Sequence, residues 1–473
     1  MPSPILSVTQ MREWEQASWA AGKSERDVIA NVGRILAQRA RSLAQPGARV
    51  LVLAGKGNNG EDARQSLPHL PADWQVTALN LSGSDADFSA ALAQLEHRPA
   101  LIIDGLFGTG LNRLLDANWI NLLDRINQLQ TQVLSIDVPS GLNAETGQPE
   151  GAAIRASITL TVGAVKSGLL KQTAWPFVGR LELAPEIGLI PCPATSDLNW
   201  TLAADFSDFP PARSAASHKG DFGHVAIIAG SFGFHGAAVL ASRGAQRAQP
   251  GLVTVFTTES AYPFVAPQLQ AAMSGIWHPN LKLSHFDGLL VGPGLAAEGL
   301  PEILKTTVAQ IWQHAPIAMI VDASALAWLP QNSPHHSQHH RVITPHPGEA
   351  ARLLNIPIAE VQANRVQALR ALSQKLGNCW VVLKGQQTLI GRSTGTILVN
   401  STGNPHLAQG GSGDLLSGYL AGLLAQPALR ADPLKTIAFA VFQHGAAADR
   451  LTATRSNWII EDLAAVLGSN FAK

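Results

Sequence analysis

Short runs of Val, Ile and Leu, each closed by Gly, Pro or Asp, alternate with helix-forming stretches along most of the chain. Few folds accept that pattern. Apolar runs without polar alternation suit parallel strands buried on both faces, with helices as the crossovers. The series occurs twice. The first set is VLVLA (Val50–Ala54), ALIID (Ala100–Asp104), VLSID (Val133–Asp137) and ITLTVG (Ile158–Gly163), preceded by a helix-forming stretch at Thr9–Ser42. The second set runs from HVAIIAG (His224–Gly230) through LVTVFTT, GLLVG, IAMIVDA and RVITP to WVVLKG (Trp380–Gly385). LIG (Leu389–Gly391) and TILVN (Thr396–Asn400) read as a late hairpin. Between the two sets lies Pro191–Gly220, rich in Pro, Ser and Ala and without periodicity, which reads as a linker. The expected fold is α/β in two domains, residues 1–200 and 201–473, each a parallel sheet covered on both faces.

Composition narrows the function classes. The chain carries 34 basic and 34 acidic side chains, so it has no global basic field for nucleic acid or anionic lipid. Its two cysteines, Cys192 and Cys379, are far apart, which excludes a zinc ribbon or a disulfide framework. No basic segment followed by an apolar run opens the chain, and no apolar run approaches the roughly 18 residues of a membrane span. We therefore expect a cytoplasmic protein without nucleic-acid or membrane partners. The run SPHHSQHH (Ser333–His340) lacks carboxylates and thiols and reads as an exposed loop rather than a metal site.

The segment GNPHLAQGGSGDLLSG (Gly403–Gly418) carries the most chemistry. Gly410, Gly411 and Gly413 precede an apolar helix expected to start near Ser412. Glycines let the backbone approach a ligand closely, and the free N–H groups of a helix start attract an anion. Asp414 would repel a phosphate, but it is well placed to take or orient a hydroxyl proton beside one. The competing reading is an N-capping Asp in a Gly-rich turn. Three glycines in four positions exceed what a cap needs. AGSFGFHGAA (Ala229–Ala238), VGPGL (Val291–Leu295), TPHPGE (Thr344–Glu349) and KGQQT (Lys384–Thr388) each follow a strand, and loops beyond the carboxyl ends of strands form the ligand crevice of open α/β sheets.

SHKGDFGHV, VGPGL, TPHPGE, VVLKG, GGSGD and HGAAAD (His444–Asp449) occur here in the order seen in the ADP- or ATP-dependent NAD(P)H-hydrate dehydratases. The resemblance spans His218 to Asp449 and implies a ribokinase-like fold. It also implies that Ala237, Gly294, His346 and Asp414 contact the hydrated nicotinamide nucleotide. Lys384, Gly385, Gln386, Gln387, Thr388 and Gly413 would contact ADP or ATP. Two positions depart from the family pattern: Ala296 replaces the last glycine of GPGLG, and His406 stands where glycine is common.

In the first half, VLVLA runs into GKGNNGED (Gly55–Asp62), small and amide residues where a dinucleotide phosphate can lie. It is not the GxGxxG fingerprint, so hydride-transfer chemistry loses ground. DGLFGTGLNRLL (Asp104–Leu115) is a second Gly-rich loop after a strand. SIDVPSGLNAETG places Asp137 at a strand's end, as a candidate general base or as a turn-forming Asp. With TVGAVKSGLL (Thr161–Leu170), these motifs resemble the NAD(P)H-hydrate epimerase domain over most of residues 1–190, a Rossmann-like three-layer α/β/α fold. The resemblance implies that Asn58, Asn59, Gly60, Glu61 and Asp62 line the substrate phosphates. Gly108, Thr109, Gly110, Leu111, Asn112, Arg113 and Leu114 would form the second substrate loop. Asp137 would contact substrate as the acid/base, and Asn59, Asp104 and Ser140 would hold potassium. The family has GNNGGDG where this chain has GNNGEDA. A carboxylate at Glu61 near a pyrophosphate is expected to weaken epimerisation.

The combined expectation is a bifunctional, homo-oligomeric repair enzyme. Its first half would interconvert R and S hydrates of NADH and NADPH. Its second half would dehydrate the S form using ADP and magnesium, the metal bridging the nucleotide phosphates. Two alternatives stay open: a kinase that phosphorylates a small alcohol and stops, and a non-catalytic nucleotide-binding first half.

Overall fold

The computed structural model describes residues 2–331 and 339–469. His335 and His336 of the histidine run lie outside them. The chain divides into two compact units, Ser3–Trp200 and Thr201–Lys473 with Met1–Pro2.

The first unit holds six parallel strands: β1 (Arg49–Ala54), β2 (Gln75–Asn80), β3 (Leu101–Gly105), β4 (Gln132–Ile136), β5 (Ile158–Val162) and β6 (Arg180–Ala184). Their order is β2-β1-β3-β4-β5-β6. The chain leaves β1 toward one edge and returns on its other side at β3. The loops after β1 and β3 therefore flank the topological switch point, where α/β sheets bind ligands. Val50, Val52, Leu101, Ile103 and Leu134 are buried on one face of the sheet, and Leu51, Leu53, Ile102 and Val133 on the other. The stretch Thr9–Ser42 forms two helices rather than one, Val8–Ala20 and Glu25–Ala40. Gly22 takes a positive φ of 85°, and the Ser24 hydroxyl accepts from the Asp27 N–H to start the second helix.

Among the described residues the second unit carries nine strands: β7 (His224–Ile228), β8 (Leu252–Thr257), β9 (Met273–Ile276), β10 (Gly288–Val291), β11 (Ala318–Val321), β12 (Arg341–Ile343), β13 (Trp380–Leu383), β14 (Leu389–Gly391) and β15 (Ile397–Val399). They run in the order β15-β14-β13-β12-β11-β10-β7-β8-β9. All pairs are parallel except the final β13-β14-β15 meander. Here the switch point lies between β7 and β10. Helix Ser412–Leu424 packs on helix His235–Arg247 at glycine contacts. A Cβ on Gly418 would sit 1.9 Å from the Ala241 carbonyl oxygen, and one on Gly244 2.1 Å from that of Leu415. This approach brings the two helix starts, with Asp414 and Ala237, toward the same sheet edge.

Arg341 is fully buried in this unit, 1% exposed. Its guanidinium donates to the carbonyls of Trp312 (2.6 Å), Ala315 (2.7 Å) and Ile317 (2.8 Å), tying the end of helix Glu302–His314 to β12. Hydrogen bonds from a charged donor contribute about 1.5–3 kcal/mol each before desolvation is counted. Arg341→Met removes all three while keeping an apolar stem, and we expect a loss of about 3 kcal/mol, read by chemical denaturation.

Candidate active sites

In the second unit, every strand from β7 to β13 named as a loop donor delivers its loop to the same edge. Ser231 joins the two loops at the switch point. Its hydroxyl donates to the Gly294 carbonyl (2.6 Å) and accepts from the Ala296 and Ala297 N–H groups (3.2 and 3.0 Å). A Cβ on Gly294 would lie 2.8 Å from that of Ala237, so those two positions are in contact. Ala296 is exposed and its φ is not positive, so the departure from glycine there is accommodated.

His346 follows β12 and opens helix Pro347–Leu354. Its Nδ1 accepts from the Gly348 N–H at 3.0 Å, which places the ring proton of the neutral form on Nε2. Burial lowers the imidazole pKa. Half-exposed, His346 presents Nε2–H as a donor. Glu349 returns the cap by accepting from the His346 N–H at 2.8 Å.

Lys384 follows β13, and its ammonium meets Asp322, at the end of β11, at 2.9 Å. Burial opposes the charge on Lys384, but Asp322, Glu349 and Asp414 outweigh it and raise its pKa. Gly411 starts helix Ser412–Leu424 with φ 92°, and among the described residues no side chain caps that start. A Cβ on Gly413 would stand 3.3 Å from the Lys384 ammonium and 3.9 Å from Asp322. Glycine thus keeps the ion pair open to a ligand at the helix start. Burial pushes the Asp414 carboxyl up to about 6, Asp322 and Glu349 reinforce the rise, and Lys384 restrains it. A carboxyl tuned this way suits proton transfer near neutral pH.

The rest of KGQQT is exposed or partly so. Buried Arg365 grips this loop, donating to the carbonyls of Leu383 (3.0 Å), Lys384 (3.2 Å) and Gln386. The motif HGAAAD supports the site from behind. His444 is buried, bonded to the Ser412 backbone and held neutral by burial, its pKa lowered to about 4. Asp449 accepts from the Gly403 N–H and the Asn404 amide, each at 3.0 Å. His406 is exposed, its ring 6.2 Å from that of Trp458.

In the first unit, the switch point gathers the loops after β1, β3 and β4. The Asn59 amide donates to the carbonyls of Phe107 (2.8 Å) and Ile136 (2.7 Å). Asp104 accepts from the Ser135 hydroxyl (2.7 Å) and the Ser140 N–H (2.9 Å), and Ser140 Oγ accepts from the Phe107 N–H (2.9 Å). Asn59, Asp104 and Ser140 therefore converge on the Phe107 peptide. Gly108 abuts Asn59, whose Oδ1 a Cβ there would meet at 2.8 Å. Leu111 is packed in the core below the loop, so its side chain does not line it. Asn112, Arg113 and Leu114 are exposed.

Glu61 does not act as an isolated charge. It pairs with Arg64 at 2.9 Å and accepts from Gln65 at 3.1 Å, and these contacts lower its pKa. Arg64 also donates to the Gly55 carbonyl of the same loop (3.1 Å). Ala63 is buried toward Gly105 and does not line the loop. The Glu61 carboxylate therefore has its counter-ion within its own helix.

Three groups escaped the sequence reading. Asp322 closes the run IAMIVD just as Asp137 closes VLSID, which was the available signal. Lys166 lies in the quoted TVGAVKSGLL but was given no role. Its side chain is 1% exposed, and its ammonium is ion-paired with Asp137. Glu349, within TPHPGE, was likewise left unassigned.

A family model described as NAD(P)H-hydrate dehydratase matches residues 225–467. A second, described as YjeF-related protein N-terminus, matches residues 72–168, a span that begins after the Gly55–Asp62 loop. A ribokinase-like superfamily protein of Enterococcus faecalis superposes with a TM-score of 0.51 at 26% identity, covering 58% of this chain and 96% of its own. The bifunctional NAD(P)H-hydrate repair enzyme of Escherichia coli is 32% identical over 478 residues, 96% of this chain and 90% of its own. That of Coxiella burnetii is 32% identical over 468 residues, 93% of each chain. With such identity carried across both units, the chain belongs to the family of bifunctional NAD(P)H-hydrate repair enzymes.

Proposed function

We propose that the first unit epimerises R and S hydrates of NADH and NADPH and that the second dehydrates the S form at the expense of ADP, giving AMP and phosphate. The observation that carries the second activity is the uncapped Gly411–Gly413 helix start with Asp414 in its first turn and the Lys384–Asp322 pair beside it. Hydroxide leaves poorly. Transfer of the terminal phosphoryl of ADP to the substrate hydroxyl converts it to phosphate, which departs readily. Asp414 takes or orients the hydroxyl proton, and the glycine amides hold the moving phosphoryl charge. The Nε2–H of His346, Ala237 and Gly294 position the nicotinamide nucleotide, and Lys384 to Thr388 receive ADP.

Among the described residues no three His, Cys, Asp or Glu side chains form a metal cage. Magnesium keeps several waters and binds through one or two carboxylates plus phosphates, so it fits as the companion of ADP, supplying charge neutralisation. In the first unit the carboxylate, hydroxyl and carbonyl oxygens of Asp104, Ser140 and Phe107, with Asn59, suit a hard monovalent cation. Potassium there would offset the negative charge that burial disfavours on Asp104. Asp137 serves as acid/base for opening the hydrated ring. Free Cys192 and free, buried Cys379 fit a reducing cytoplasm.

Product analysis with S hydrate, ADP and magnesium tests the second activity. Recovery of NADH absorbance with equal AMP and phosphate supports the dehydratase, and accumulation of a phosphorylated hydrate supports the kinase alternative. Because Glu61 is paired with Arg64 on the helix surface, Glu61→Gly should change the epimerisation rate by less than about fivefold. A larger gain, measured on separated epimers, would restore direct repulsion of the substrate.

A further inference from the structure

The Asp137 carboxylate is held on one oxygen. The Lys166 ammonium donates to Oδ1 and also to the Val162 carbonyl (2.8 Å) and the Thr161 hydroxyl (3.3 Å), so its three protons are engaged. Oδ1 further accepts from Thr161 Oγ1 and the Val162 N–H, each at 3.1 Å. Among the described residues no hydrogen bond falls on Oδ2, which leaves that oxygen to receive a proton. Lys166 is a positioning residue: its three donors fix Asp137 against Thr161 and the Val162 carbonyl.

Asp62 is different. It is 6% exposed and lies one helical turn after Asn59, whose amide donates to the carbonyl of Ile136, the residue before Asp137. No hydrogen bond to its carboxyl is found among the described residues. The charged groups that face it are Asp137, Glu61 and Glu15, all acids, and Lys166, whose protons are committed elsewhere. A carboxyl buried without a donor beside other carboxylates keeps its proton. Burial, then Asp137, Glu61 and Glu15, raise its pKa to about 8 against the pull of Lys166. A carboxylate is a poor neighbour for a pyrophosphate, whereas a neutral carboxylic acid is a donor.

Resting on the epimerase reading, we propose that Asp62 is the proton donor and Asp137 the proton acceptor of the epimerisation. Asp137 takes the proton of the hydroxyl on the hydrated carbon. The freed electron pair forms the carbonyl, the bond from that carbon to the ring nitrogen breaks, and the nitrogen takes the proton of Asp62. The ring is then an open aldehyde, free to turn about the adjacent bond. Closure on the opposite face reverses each transfer: the nitrogen returns its proton to Asp62, and Asp137 returns its proton to the new hydroxyl. Nothing is oxidised, reduced or consumed.

The test uses the full chain with purified R hydrate and no ADP, separating the epimers over time. Wild type should interconvert them faster than the uncatalysed control, its rate falling as pH rises through about 8 as Asp62 deprotonates. Asp62→Asn should lower the rate about 100-fold or more, leave KM within about threefold and lose that alkaline fall. Calorimetry of the same preparation should show the first unit melting as in wild type, which shows that it is folded. Interconversion by Asp62→Asn near the wild-type rate would overturn the donor assignment while leaving the epimerase reading intact. A wild type no faster than the control would overturn that reading and the proposal with it.

Discussion

Asp414→Asn should bind ADP like wild type and lose dehydration by about two to four orders of magnitude, the range over which a positioned acid or base contributes. Asn keeps the shape of the first helical turn, and the Gly411–Gly413 backbone that receives the phosphoryl group is untouched. What goes is the group that takes the hydroxyl proton. The wild-type rate should also report that group. Burial and the neighbouring acids hold Asp414 near 6, so it is ionised above that pH and protonated below it. A base is active only when ionised, so turnover should fall as pH drops through about 6. Steady-state turnover with S hydrate, together with calorimetric ADP titration, separates the chemical step from binding. Near-normal turnover by Asp414→Asn would remove it from the mechanism.

The second large effect concerns the first unit. Lys166→Met leaves the Asp137 carboxylate buried without its counter-ion, and breaking such a pair costs about 3–5 kcal/mol. In a unit of this size that lowers Tm by roughly 10 °C. Epimerisation should fall at least about 100-fold, because the acid/base is no longer held. The double variant Lys166→Met/Asp137→Leu replaces the pair by apolar groups and should regain much of the stability while staying inactive, since an apolar replacement of a buried pair is often neutral or better. Calorimetry of the full chain reads the first effect and epimer separation the second. A single variant that melts like wild type would show that the pair is solvated.

What the sequence made legible follows from what each feature depends on. The central strands, such as Val50–Ala54 and Val225–Ile228, are buried on both faces and so carry uninterrupted apolar runs. The strands Gln75–Asn80, Arg180–Ala184 and Met273–Ile276 lie at sheet edges. Their half-exposed faces carry Gln, Thr, Arg, Glu and Ser, and no apolar run marks them. Thr9–Ser42 held helix formers throughout, and a single positive-φ glycine followed by a capping serine divided it.

At the sites, Asp414 was legible because its glycines are contiguous with it. Asp322 and Lys384 come from strands 62 residues apart, and their pairing exists only once β11, β12 and β13 are laid side by side. The same holds for Lys166 and Asp137. The charge on Glu61 was legible, but its compensation by Arg64 was not, because a helix surface pair depends on which way both side chains turn.

The most direct measurement starts from pure R hydrate with ADP and magnesium and follows R, S, NADH and phosphate together. R should be consumed through S, with NADH appearing after a lag and one phosphate released for each NADH formed. NADH formation that stops at the amount the uncatalysed epimerisation can supply, or a phosphorylated hydrate that accumulates without NADH, would contradict the account.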